Sequence, residues 1–265
     1  MKIGFIGTGN MGGALALAAA KAEGNHSLFL ADFDKKKAAE LAERLGASVS
    51  ENREILETCD MVFLGVKPQV LPALLEEIAP TVKKRGDGLV LISMAAGVST
   101  ARILSFLGEK TPLIRMMPNT PVSVGEGVIV YHSVNVDAAR EASFLSLMKR
   151  AGLVEKLSED KIDAASALHG CGPAFVYLFV EALADGAVAC GLSRDTAQRF
   201  AAATVAGAAK TVLETKKHPG ELKDAVCSPG GSTIEGVRVL EEAAFRSAAM
   251  DAVIAAFEKT KSLGK

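Results

Sequence analysis

Tryptophan is absent from the 265 residues, tyrosine occurs twice, and aromatics make up only 5% of the chain. A chain so poor in large rings brings its helices together through small side chains, and alanine and glycine crowd the second half. Tight helix packing or an oligomer interface is expected there. Neither sign of charge is in surplus, since 30 basic residues stand against 31 acidic ones and the sequence pI is near 6.5. This excludes the electrostatic footprint of a nucleic-acid or acidic-membrane binder and favours a small-molecule partner. Cysteine pairs are missing as well. Cys59, Cys171, Cys190 and Cys227 lie far apart without a C-x-x-C, which suits free thiols in a reducing compartment and offers no metal pattern. The start, M-K-I-G-F-I-G-T-G-N, is broken by glycines too early for a signal peptide, and no run approaches the apolar length of a membrane span. A soluble cytoplasmic protein without a membrane partner is expected.

What is present is organised from the N-terminus. Lys2 to Ile6 reads as a short apolar strand, followed at once by Gly7-Thr8-Gly9-Asn10-Met11-Gly12 and an alanine-rich helix to about Glu23. Strand, turn and helix in this order form a dinucleotide fingerprint. Gly7 makes the turn, Gly9 admits the pyrophosphate to the backbone, and Gly12 lets the helix pack on the strand. A second strand, Ser27 to Ala31, ends in Asp32, twenty residues past Gly12. A carboxylate there accepts hydrogen bonds from the adenosine ribose and argues for NADH, because a 2′-phosphate would meet a like charge. Lys35, Lys36 and Lys37 follow closely and are read as a solvated first helical turn.

Alternation continues with a helix from Lys35 to Leu45, a strand near Ser48, a helix from Glu51 and a buried strand from Met61 to Val66. It implies a parallel sheet with crossovers. Gly65-Val66-Lys67-Pro68 and Ser93-Met94-Ala95-Ala96-Gly97 then fall where such a sheet presents its ligand crevice, so both turns are expected to line the cofactor. Lys67 reads equally as a surface lysine before a helix-starting Pro68. Leu113 to Met117 runs into Pro118-Asn119-Thr120-Pro121, whose amide can pair with a carboxamide or ribose hydroxyl, or serve only a turn. Further strands are expected at Val128 to Tyr131 and from Val154, around a helix from Ala138 to Arg150.

After Asp160 the pattern becomes helical, through Ile162–Leu168, Pro173–Cys190, Thr196–Thr215 and Ala243–Lys261. We therefore divide the chain into a nucleotide-binding domain over residues 1–160 and a helical domain over residues 161–265. The helix from Pro173 is apolar around most of its circumference and needs cover on all sides, which favours an oligomer. Late in this half, D-A-V-C-S-P-G-G-S-T-I-E-G-V spans Asp224 to Val237. Gly230 and Gly231 can turn the chain before Ser232 and Thr233 open a helix over Ile234–Leu240. Its first amides are either an anion site or an ordinary cap.

Taken in order, G-x-G-N-M-G, V-K-P, S-M-A-A-G, M-P-N-T-P, H-G-C-G-P-A-F and the Asp224–Val237 stretch make the whole chain resemble pyrroline-5-carboxylate reductase. The resemblance implies an α/β fold, with an N-terminal Rossmann-type dinucleotide-binding domain and an all-helical C-terminal dimerisation domain. It implies NAD(P)H-dependent reduction of the cyclic imine Δ1-pyrroline-5-carboxylate to L-proline by a homodimer or ring of dimers. Carried over by position, it puts Ile6, Gly7, Thr8, Gly9, Asn10, Met11, Asp32, Asn52, Val66, Lys67, Pro68, Ala95, Ala96, Gly97 and Asn119 around the cofactor. The substrate carboxylate would sit on the Gly231, Ser232 and Thr233 amides beside Gly230, with the Thr233 hydroxyl close to the ring nitrogen as the catalytic contact. Glu159 matches a carboxylate near the substrate pocket, although its place at a helix start also suits a cap.

This chain departs from the family in places. His169, Cys171 and Phe175 stand where S-G-S-G-P-A-Y has its two serines and tyrosine, and His169 is read as structural. The family habit is NADPH, but Asp32 stands where NADPH-preferring relatives carry Ser or Asn, and Phe33 where some carry Arg; both point to NADH. Lys210 would be the acid if the chain were a β-hydroxyacid dehydrogenase. A dinucleotide-binding redox sensor without turnover would need neither Lys210 nor Thr233.

Overall fold

The computed structural model describes residues 1–263, and contacts divide the chain into two compact units, Met1–Cys171 with the chain from Ala256 onward, and Gly172–Ala255. In the first unit, β1 (Lys2–Ile6), β2 (Ser27–Ala31), β3 (Ser48–Val49), β4 (Met61–Leu64), β5 (Val90–Ser93), β6 (Leu113–Pro118), β7 (Gly127–Val134) and β8 (Gly152–Lys156) form one sheet in the order β3-β2-β1-β4-β5-β6-β7-β8. Its helices are α1 (Asn10–Ala20), α2 (Lys35–Leu45), α3 (Asn52–Thr58), α4 (Leu71–Arg85), α5 (Thr100–Leu107), α6 (Ala138–Met148) and α7 (Glu159–His169).

Strand periodicity builds two cores. Ile3 and Phe5, Met61 and Phe63, and Val90 and Ile92 join Leu15 of α1 and Phe144 of α6 in one buried cluster. The residues between them, Val62, Leu64 and Leu91, join Ile55 of α3, Leu71 of α4 and Ile103 of α5 in another. Successive side chains on a strand point to opposite faces, so one apolar run feeds both layers of helices. Cys59 lies in the second core, where burial pushes its thiol up to about 11 and makes it inert.

The expectation of a parallel sheet holds from β3 to β6 and fails at β7, which pairs antiparallel with β6. Only Asn119–Glu126 joins those strands, much of it a 3₁₀ turn over Thr120–Val124. A parallel return needs a dozen or more residues. β8 regains the direction of β7 through α6. Pro68 does not open a helix, since α4 starts at Leu71 with Pro72 in its first turn. α7 packs on β7.

The second unit holds α8 (Gly172–Ala189), α9 (Arg194–Thr215), α10 (Pro219–Val226) and α11 (Ser232–Glu242), with α12 (Phe245–Leu263) beginning inside it. α8 and α9 pack through Ala184, Ala197 and Ala201, small residues that allow close approach. Many of its large apolar side chains face outward, with Tyr177 62%, Leu178 72%, Leu213 72% and Ile254 58% exposed. The expectation about membrane-length runs needs correction. Glu159–Ala189 is a 31-residue helical stretch with a window of mean hydropathy 1.4, of which 6% is buried. Such a stretch passes on length and composition because Glu181 and Asp185 are the only charges from Gly172 to Ala189. An uncovered subunit interface passes the same test.

Candidate functional site

The nucleotide end of the first unit is built from close approaches that only glycine permits. Gly7 turns with φ +95°, and its amide donates to the Ala31 carbonyl at 2.8 Å while the Gly65 amide donates to that of Ile6 at 2.7 Å. The C-terminal ends of β2, β1 and β4 are thereby stitched together. A side chain at Gly12 or Gly65 would overlap the Gly7 carbonyl oxygen, whereas Gly9 has nothing within 4 Å and faces open space. Gly9 caps α1 without a side-chain hydrogen bond, and the first turn of α1 holds no acidic residue. Its positive end is therefore open to an anion, and the residues present fit a dinucleotide pyrophosphate.

Asp32 ends β2 beside this turn. Its Oδ2 accepts from the Thr8 amide at 2.6 Å and the Thr8 hydroxyl at 3.0 Å, and its Oδ1 from the Asp34 amide at 2.9 Å. Burial works to raise the Asp32 carboxyl, but the Thr8 and Asp34 amides, the Thr8 hydroxyl and the Lys37 charge together hold it below its ordinary value. A cavity of about 880 Å³ opens beside it and is lined by Ile6, Gly7, Gly9, Asp32, Asn52, Val66 and Lys67 from the expected set. Phe33, wholly exposed, also lines it. So do Glu51, Arg53 and Glu77, which sequence reasoning did not place there. Strand order is the signal that would have found Glu51, because residues following β3 must land beside those following the neighbouring β2.

The remaining expected cofactor residues divide. Pro68 and Gly97 line a separate hollow of about 530 Å³, and Thr8 and Asn10 a shallow one of about 340 Å³. Met11 packs against the first core, Ala95 lies in the second, and Ala96 is half-buried. Asn119 is buried with its amide committed, donating to the His169 carbonyl at 2.9 Å and accepting from the Val128 amide at 2.8 Å. The His169 imidazole is half-buried, its nitrogens have no hydrogen-bond partner among the described residues, and desolvation holds it below its ordinary range. Lys210 is exposed on α9.

Glu159 reaches across the first unit. It accepts from the Thr100 amide at 2.7 Å, the Thr100 hydroxyl at 2.6 Å and Arg115 Nη1 at 3.1 Å, so it caps α5, not its own helix. Arg115, 4% exposed, also donates through Nη2 to Asp163 at 2.6 Å. Nothing local in the sequence marks Arg115, whose partners lie 44 and 48 residues away. Burial works to raise the Glu159 carboxyl, but Thr100 and Arg115 outweigh it and hold it below its usual range.

In the second unit, Gly230 turns at φ +68° and Gly231 is the extended N-cap of α11. The Gly231 amide donates to the Ser228 carbonyl at 3.0 Å within that turn. The three expected anion-binding amides therefore narrow to those of Ser232 and Thr233. No side chain among the described residues caps α11, and Ser232 and Thr233 are both exposed. Such a helix start can hold a carboxylate through two charge-assisted hydrogen bonds, each worth roughly 1.5–3 kcal/mol.

Residues 159–263 match the family described as pyrroline-5-carboxylate reductase dimerisation, and residues 2–97 match NADP oxidoreductase coenzyme F420-dependent. The chain is 41% identical over 269 residues to the pyrroline-5-carboxylate reductase of Escherichia coli (strain K12), covering 100% of this chain and 98% of that one. The solved pyrroline-5-carboxylate reductase of Coxiella burnetii superposes with a TM-score of 0.91 at 33% identity, covering 99% of this chain and 98% of that one. The pyrroline carboxylate reductase of Plasmodium falciparum, solved with NADP bound, gives 0.89 at 34% identity over 100% and 98% of the two chains.

Proposed function

The chain belongs to the pyrroline-5-carboxylate reductase family of NAD(P)-dependent oxidoreductases, and from that premise we propose that it prefers NADH and holds the substrate carboxylate on the Asp224–Val237 loop. Its reaction is the reduction of Δ1-pyrroline-5-carboxylate to L-proline at the C=N bond, the last step of proline biosynthesis.

When bound, the reduced nicotinamide supplies the hydride. The Gly7–Gly12 turn and the N-terminus of α1 hold the pyrophosphate, and Asn52, Val66 and Lys67 share the cavity beside it. Asp32 carries the preference. An ionised carboxylate has about four acceptor positions, and the Thr8 amide, Thr8 hydroxyl and Asp34 amide use three of them, leaving one for a ribose hydroxyl. Held below its ordinary value, Asp32 stays charged at neutral pH. A 2′-phosphate brought beside it would meet this carboxylate as a like charge and be repelled. NADP is bound in the Plasmodium falciparum relative, so the comparison of initial rates with NADH and NADPH is the test. Rates strongly favouring NADPH would refute the role given to Asp32.

The substrate's imine nitrogen is basic enough to be partly protonated near neutral pH, so the protein's main task is positioning. The Ser232 and Thr233 amides fix the carboxylate beside the Gly230–Gly231 turn. The Thr233 hydroxyl orients the ring nitrogen or hands it a proton. The unpartnered apolar side chains of α8, α9 and α12 and the match to a dimerisation family support a homodimer or ring of dimers, for which no membrane is needed. The four free thiols suit a cytoplasmic setting.

A further inference from the structure

We propose that Glu51 is a second specificity-determining residue, which excludes a 2′-phosphate from the cavity by occupying Lys35 and by adding its own charge to that of Asp32. This rests on the proposed preference for NADH.

Lys35, Glu51 and Asp32 line the same cavity. Lys35 is the first residue of α2, three positions past Asp32, and Glu51 is the N-cap of α3 after β3. Because β3 pairs parallel with β2, both chain ends emerge on one side, and Lys35 Nζ meets Glu51 Oε1 at 2.5 Å. The other lysines of the run are employed elsewhere. Lys36 pairs with Glu40 at 3.9 Å and Lys37 with Asp34 at 3.8 Å, and neither lines this cavity. Arg53, which does, is bound to Glu57 at 2.9 Å. A phosphate monoester near the ribose would thus meet two carboxylates, and the cation nearest in sequence to Asp32 already has its counter-charge.

Both partners are about three-quarters exposed, so the pair itself adds little to stability. Its effect lies in the local count of charge. Removing the Glu51 charge leaves Lys35 free to meet a phosphate, while leaving the Asp32 carboxylate for the ribose hydroxyl. The same exposure means that added salt should weaken the discrimination, since charges at a surface are screened within about 8–10 Å at ordinary ionic strength.

The test uses the full chain with Glu51→Gln, Lys35→Ala and the double variant. Calorimetry measures binding of adenosine 2′,5′-bisphosphate and adenosine 5′-monophosphate, and initial rates give kcat/KM for NADPH and NADH. Glu51→Gln is expected to raise the affinity ratio of the bisphosphate over the monophosphate by about 1.5- to 5-fold, the scale of one exposed ion pair. The NADPH to NADH ratio should rise in step through KM, and Lys35→Ala in the double variant should remove the part of the gain that the freed lysine supplies. An unchanged affinity ratio in Glu51→Gln, or a gain that Lys35→Ala leaves undiminished, overturns the inference. A wild-type enzyme that strongly favours NADPH sinks the role of Asp32 instead. The two failures are told apart because the wild-type rates decide the preference, and the change that Glu51→Gln causes decides the part played by Glu51.

Discussion

Replacing Glu159 with Gln removes one of the two carboxylates that hold the buried Arg115 guanidinium, and the cost of that loss can be worked out. Arg115 is 4% exposed and keeps Asp163 at 2.6 Å but loses its other carboxylate, while the amide and hydroxyl of Thr100 lose a charged acceptor at the start of α5. Removing one partner of a fully buried pair costs about 3–5 kcal/mol. Glu159 is 26% exposed and Asp163 remains, so the expected loss is about 2–3 kcal/mol. Urea unfolding at fixed protein concentration should show it as a lower midpoint at unchanged slope. The pH dependence has a fixed sign. The folded-state carboxyl lies below its unfolded value, which is near about 4.3. Its contribution is therefore present above that pH and fades as pH falls through the folded value. The gap between wild type and variant should narrow in acid. A loss under about 0.5 kcal/mol, or a gap that does not close, refutes the structural role assigned to Glu159. A raised KM for the imine at unchanged stability would place it in the substrate pocket.

Gly12→Ala puts a methyl group against the Gly7 carbonyl oxygen and should cost about 1–3 kcal/mol together with most of the NADH affinity; fluorescence titration reaching the wild-type Kd would contradict the assigned packing. Thr233→Ala should lower kcat by roughly 10²-fold, and full turnover at unchanged substrate affinity would remove Thr233 from the chemistry. Ala244 sits at φ +56° between α11 and α12, so Ala244→Gly is expected to stabilise by about 1 kcal/mol in thermal denaturation. Leu178, 72% exposed on α8, should be covered in the oligomer. Leu178→Lys is expected to shift the mass measured by light scattering toward the monomer, and an unshifted mass would show that this face lies outside the interface.

The Gly7–Gly12 turn and the start of α11 were legible because each depends on neighbours in the chain. Glycines at fixed spacing after an apolar strand mark a dinucleotide turn, and glycines before a hydroxyl pair mark a helix start. The direction of β7 was not legible, since an apolar strand looks alike running either way and only the short link from β6 decides it. The start of α4 was misplaced, and α5 and α10 escaped, for related reasons. α4 carries Pro80 inside it, while α5 and α10 span only eight residues each and so show little more than two turns of periodicity.

By itself the sequence determined the alternation of the first unit, the helical second unit, the glycine turn after β1, the charge at Asp32 and the start of α11, all features written within a few residues of chain. Tertiary structure decided the partners. It set Glu159 on Arg115 and Thr100, Glu51 on Lys35, and Asn119 on His169, because such pairs follow from strand order and helix placement, which bring together residues that no local spacing connects.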